Sequence, residues 1–150
     1  MPRIDVKSVP ERRGSSYPAP FAEIAKGRVR RRLGDAGGLT QFGVNLLHLP
    51  PGAGSSQRHW HSDEDEFVFV VSGEVTLVTN AGEETLRAGD CAAFPKGVDD
   101  GHQLLNRSGA MAVCLEVGSR SADDVTIYSD IDMMIDNRGG GFTHKDGTPY

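Results

Sequence analysis

The sequence contains no apolar run approaching the ~20 residues that a membrane-spanning helix needs, so no span is expected. Its first residues, MPRIDVKSVPERRG, carry no apolar signal core, and secretion is not expected. Cysteine is scarce. Cys91 and Cys114 both sit among apolar neighbours and read as reduced core thiols rather than a disulfide or a reactive site. These absences together point to the cytoplasm. Positive charge is not in excess either: a net charge of −5 argues against a general nucleic-acid binder. No internal repeat is visible.

What is abundant is glycine, 19 of 150 residues, beside a hydrophobic fraction of only 37%. That mix favours many short strands and tight turns around one modest core, not a helical bundle. Charge is distributed unevenly. Residues 1–35 carry nine Lys/Arg and four Asp/Glu, a local +5, and the remainder carries a local −10. A basic arm on an acidic body can dock on that body or on a partner's copy of it. The alternative is that Arg28 and Arg30–Arg32 form a solvated face.

Taken in order, residues 1–20 are rich in Pro, Arg and Ser and read as an extended arm. Apolar positions at Phe21, Ile24, Ala25, Val29 and Leu33 predict a short helix face, weakened by Gly27. Residues 40–49 read as a strand stopped by Pro50 and Pro51. Residues 67–71 are apolar on both faces. With Glu66, Val68 and Val70 inward, Phe67, Phe69 and Val71 point outward and require cover by a second sheet, the arm or another subunit. Further strands are expected over 74–79, 83–86, 91–94 and 102–106, with 111–117 as the strongly apolar final one. Residues 130–135 suggest an added edge strand, and the Gly-rich tail from 139 to 150 is ordered only if it docks. Short strands between turn signals, without intervening helices, predict an antiparallel β-sandwich or barrel.

One stretch, HWHSDEDEFVFVVSG from His59 to Gly73, carries chemistry. His59 and His61 share one face of a strand because side chains alternate with period 2. Glu66 then heads the apolar strand. Imidazoles plus a carboxylate on stiff strands make a divalent-metal constellation. Trp60 alternates away from it and is expected to pack on the sheet. Asp63, Glu64 and Asp65 form either a solvated acidic turn or, through mutual repulsion, a carboxyl poised as a base. His48 and His144 read as structural or surface histidines.

These residues resemble the cupin superfamily. Its first motif runs HXH(X)3–4E(X)6G, matched by His59, His61, Glu66 and Gly73; the glycine that leads the motif is displaced by one position. The second motif, G(X)5PXG(X)2H(X)3N, is matched by Gly89, Pro95, Gly97, His102 and Asn106. Here four residues, Val98 to Gly101, replace the usual two before the histidine. The arm and the GFTHKDGTPY tail are similar to a subgroup of small single-domain cupins described as sugar-phosphate isomerase-like.

The resemblance implies an all-β, antiparallel double-stranded β-helix, or jelly-roll barrel. It divides the chain into an N-terminal basic arm (1–39), the barrel (40–119) and a C-terminal extension packing on it (120–150). It also implies that His59, His61, Glu66 and His102 ligate a divalent ion such as Zn, Fe, Mn or Ni, leaving positions open for water, oxygen or a bidentate substrate.

Three functions follow as expectations. The first is a metal-dependent enzyme on a small oxygen-rich molecule: an isomerase, with Arg58, Lys96 and Arg107 as candidate phosphate partners, or an Fe(II) dioxygenase. The second is a non-catalytic small-ligand-binding module. The third is a protein whose metal only staples the barrel. Homodimerisation is expected under all three, with no nucleic-acid or membrane partner.

Overall fold

Short alternating stretches punctuated by Gly and Asn turns pair antiparallel throughout the computed structural model, which describes residues 2–150. In chain order the strands are β1 (Glu11–Arg13), β2 (Val29–Arg32), β3 (Phe42–Leu49), β4 (His59–His61), β5 (Glu66–Ser72), β6 (Glu74–Thr79) and β7 (Gly82–Arg87). There follow β8 (Cys91–Phe94), β9 (Gln103–Leu105), β10 (Ala112–Ser119), β11 (Val125–Tyr128), β12 (Met134–Asp136) and β13 (Phe142–Thr143). One wall is a six-stranded sheet in the order β1-β2-β3-β10-β5-β8. The other combines β13-β12-β11-β4 with β7-β6-β9. These last two sheets are joined by reciprocal backbone bonds between His59 and His102, of 2.9 and 3.2 Å. The result is the all-β jelly-roll barrel expected. Among the described residues no helix is long and apolar enough to cross a membrane.

The two walls meet over a core at one end of the barrel. Leu47, Leu49, Val70, Ala112 and Cys114 from the first wall pack on Val75, Leu77, Leu86 and Leu104 from the second. Toward the other end the inward positions turn polar. Asn45 on β3 stands beside Glu116 on β10, and Arg32 on β2 beside Asn45. The interior is thus plugged by apolar residues at one end and hollow and charged at the other. The chain passes between the walls at Gly73, where φ is +74° and an added Cβ would lie 2.6 Å from the Met111 carbonyl. Glycine is the residue that tolerates both the left-handed backbone and the close approach.

Several expectations are corrected. Residues 21–33 do not form a helix face: a single 3₁₀ turn at Glu23–Ala25 leads into β2. There Arg30 and Arg32 share the inward row with Leu47 and Asn45, while Val29 and Arg31 point out. The final strand is not the one at 111–117, because β11, β12 and β13 follow it, with β12 displaced from the expected edge strand at 130–135. Cys91 is exposed rather than a core thiol, because the alternation of β8 turns it outward beside Phe69. Cys114 is buried, and burial pushes its thiol up to about 12. Phe67, Phe69 and Val71 are exposed on the outer face, at 38%, 38% and 49%.

Candidate metal centre

The strand pattern brings the three predicted histidines around the predicted carboxylate, Glu66. β4 and the residue before β9 are backbone neighbours, so the imidazoles of His59 and His102 stand side by side with ring centroids 4.7 Å apart. His61, two positions along β4, shares their face, its ring 5.1 Å from that of His59. Glu66 enters from the opposite wall at the start of β5. Its Oε2 lies 2.7 Å from His102 Nε2, 3.3 Å from His61 Nε2 and 3.6 Å from His59 Nε2. The extra residues before His102 do not displace it. They bulge outward, held by Asn80, which bonds the Asp99 carbonyl at 3.0 Å and the Asp100 side chain at 2.7 Å. His48 and His144 lie outside the cluster, His144 being bonded to Asp132 at 2.9 Å.

The hydrogen bonds behind the rings fix which nitrogen faces inward. His59 Nδ1 lies 2.8 Å from the Gln57 carbonyl, which can only accept, so Nδ1 carries the proton. His61 Nδ1 lies 2.7 Å from Asp124 Oδ2 and donates to that carboxylate. In their neutral forms both rings therefore aim an Nε2 lone pair at the Glu66 carboxylate. Glu66 Oε2 is buried, and no donor is aligned to bond it despite the close approach of His102. Lone pairs converging on a buried carboxylate oxygen repel unless a cation lies among them. The donor set of imidazole nitrogens and one carboxylate oxygen suits a divalent transition ion. His59, His61 and Glu66 offer ligand atoms within 4.8 Å of one another, whereas His102 lies outside that group and approaches it through Glu66.

When no ion is bound, a proton takes part of its place. Burial would raise the Glu66 pKa, but His102, His59 and His61 outweigh it and hold the carboxyl well below the usual range. Burial would lower the pKa of His61, but Glu66 and Asp124 outweigh it and bring it to about 9. His102 is shifted down, first by burial and then, against the pull of Glu66, by its neighbouring imidazoles. Without a metal ion the cluster thus keeps an ionised Glu66 and places a proton on His61.

Sequence reasoning missed the groups that hold this centre in place. Asp124, 1% exposed, orients His61 and also accepts from the Asp63 amide at 2.9 Å. Phe94 stacks flat on His102 at 3.6 Å. The acidic turn is divided. Asp63 pairs with Lys96 at 2.6 Å, whereas Glu64 turns inward, 3.8 Å from His61 Nδ1.

The cluster opens into a cavity of about 610 Å³ whose wall includes Arg28, Arg30, Arg32 and Arg120. Part of the Arg-rich arm is therefore folded into its own barrel rather than forming a solvated face. Arg30 pairs with Glu116 through contacts of 2.8 and 2.9 Å. The cations expected to meet a phosphate do not line the cavity. Arg58 pairs with Asp130 at 2.8 Å, Lys96 with Asp63, and Arg107 with Glu83 at 2.7 Å.

Comparison with known proteins matches this architecture. Residues 45–118 match the family described as Cupin domain. The solved structure of a sugar phosphate isomerase from a cupin superfamily, of Silicibacter pomeroyi, is 50% identical with a TM-score of 0.94, over 99% of this chain and 96% of that one. A proposed sugar phosphate isomerase of Acidithiobacillus ferrooxidans is 30% identical with a TM-score of 0.74, over 83% and 80% of the two chains. The polyketide cyclase RemF of Streptomyces resistomycificus shares the fold at 20% identity and a TM-score of 0.62, over 79% of each chain. No curated protein matches the chain.

Proposed function

The chain belongs to the cupin superfamily, and on that premise we propose that it is a divalent-metal enzyme that isomerises a small oxygen-rich molecule of the sugar-phosphate kind. The observation that carries the reading is the convergence of His59, His61 and His102 Nε2 on the buried, unbonded Glu66 oxygen. These four residues would hold the ion. When bound, it would supply Lewis acidity toward a carbonyl and a neighbouring hydroxyl. The chain's own groups do the rest. Asp124 and the Gln57 carbonyl hold the protons of neutral His61 and His59 at Nδ1, which leaves their Nε2 atoms for the ion. Phe94 fixes the plane of the third ring. The walls surround a reactant with polar groups over a volume that suits a small metabolite. The 50% identical neighbour, itself a sugar phosphate isomerase, supports the substrate class.

The test is hydrogen–deuterium exchange at the carbon next to the carbonyl, followed by NMR in D₂O over a panel of aldose and ketose phosphates. Exchange and interconversion are expected with the metal-loaded protein and are lost in Glu66→Gln. Ligand-induced stabilisation without exchange would replace the isomerase with a binding module. Oxygen uptake would replace it with a dioxygenase.

The proposal extends to assembly. The outer face of the six-stranded sheet, with Phe67, Phe69 and Val71 exposed beside Cys91 and Ala93, packs against a second copy of the chain.

A further inference from the structure

Four arginines and four carboxylates line the cavity: Arg28, Arg30, Arg32 and Arg120 against Asp35, Glu64, Glu66 and Glu116. Three of the arginines are matched. Arg30 is held by Glu116, and Arg32 and Arg120 share Asp35. Among the described residues no carboxylate pairs with Arg28. Its Nε donates to the Gly14 carbonyl at 2.9 Å and its Nη1 to the Ser55 carbonyl. Those two neutral contacts fix the plane of the guanidinium, and its Nη2 has no hydrogen-bond partner among the described residues. Ser15, Ser16 and Tyr17 line the wall with it. The Tyr17 hydroxyl oxygen accepts from the Gln57 amide at 3.3 Å.

A half-buried cation that lacks a counter-ion is costly, and the site is built as though the ligand brings one. Burial, then repulsion from Arg30, lowers the Arg28 pKa, as expected for a charge short of an anion. Arg28 and the four cluster residues line the same cavity, and the arm approaches the histidines through Tyr17. Tyr17 packs edge-on against Tyr128 at 5.6 Å, and Tyr128 lies 5.7 Å from His59. Two ring spacings therefore separate the arm from the histidines.

We propose that Arg28, presented by the N-terminal arm, is the anchor of an oxyanion subsite that takes the phosphate of a phosphorylated substrate while its sugar oxygens face His59, His61, Glu66 and His102. This rests on the metal-enzyme reading. The charges favour an oxyanion, and a phosphate offers an arginine more acceptor oxygens than a carboxylate does. The four arginines and four carboxylates of the wall cancel, so a divalent ion, less the Asp124 charge behind His61, leaves a positive surplus. The arm is then part of the substrate site and not only a structural strand.

The experiment titrates inorganic phosphate into the protein as purified and follows the isotherm calorimetrically, with elemental analysis of the same samples. Arg28→Gln is compared with Arg31→Gln, an equal loss of charge on the outward face of β2, where Arg31 pairs with Glu11. Loss of a charge-assisted contact is expected to weaken phosphate binding roughly tenfold or more in Arg28→Gln, with Arg28→Lys intermediate and Arg31→Gln unchanged. Unaltered metal content in Arg28→Gln keeps the subsite separate from the metal centre. A wild type without metal that still binds phosphate through Arg28 would sink the metal reading and leave the subsite standing. Equal phosphate binding by wild type and Arg28→Gln overturns the subsite. Should Arg28→Gln fail to fold, a crystal of the wild type soaked in phosphate decides. Density bonded to Arg28 Nη2 supports the proposal, and density only at the histidine cluster overturns it.

Discussion

Replacing Asp124 by Asn removes one charge and almost no volume, and it should cost metal affinity without touching a ligand. In the native arrangement Asp124 Oδ2 accepts from His61 Nδ1 at 2.7 Å and from Thr126 Oγ1 at 3.3 Å, while Oδ1 accepts from the Asp63 amide at 2.9 Å. An asparagine keeps the Oδ1 acceptor, so the turn at Asp63 survives. Its amide nitrogen would then face His61 Nδ1 with donor against donor. His61 must either fall back on the longer contact to Thr126 Oγ1 at 3.2 Å or move its proton to Nε2, where the ion would bind. Loss of such a supporting carboxylate weakens metal affinity by about 10- to 100-fold, or about 1.4–2.8 kcal/mol. Competition against a chromophoric chelator measures it directly, and melting of the metal-free protein checks that the fold is intact. A Kd within roughly twofold of wild type would refute the claim that Asp124 sets the His61 tautomer.

Other outcomes follow from the same geometry. The metal-free protein should lose stability as pH rises. His61 is raised from 6.5 to about 9, so its contribution is full below about 6.5 and disappears as pH passes through 9. Urea melts of chelated protein across that window check the sign, and stability rising with pH would contradict it. Gly73→Ala places a Cβ 2.6 Å from the Met111 carbonyl at φ +74° and is expected to destabilise by about 2 kcal/mol or more, seen as a lower Tm. Phe69→Glu, on the exposed face of β5, should shift the chain toward a monomer in sedimentation. A wild type that sediments as a monomer at micromolar concentration would remove the dimer proposal.

The sequence made much of this legible because most strands face an apolar core on one side. In β5 the alternation of Glu66, Val68 and Val70 against Phe67, Phe69 and Val71 predicts both faces, and the burial pattern follows it. β2 was illegible for the opposite reason. Its inward residues, Arg30 and Arg32, face a charged cavity, so no hydrophobic period marks the strand. β11, VTIY, has the β-branched and aromatic content of a strand, so its signal is present in the sequence although only four residues long. The ligand set could be read because the HXH spacing and Glu66 are local and the second motif supplies His102. Asp124 and Arg28 could not. Each reaches its position through pairings between segments distant in the chain, β11 with β4 and the arm with β3.

Elemental analysis of protein purified without added metal tests the central claim most directly, with His59→Ala and His102→Ala prepared in parallel. The account predicts about one divalent ion per wild-type chain, from four ligands converging on one point, and loss of it in both variants. A wild-type chain that carries no ion and takes none up on dialysis against Mn, Fe, Ni or Zn would contradict it. Retention of the ion by His102→Ala would show that the fourth ligand lies elsewhere.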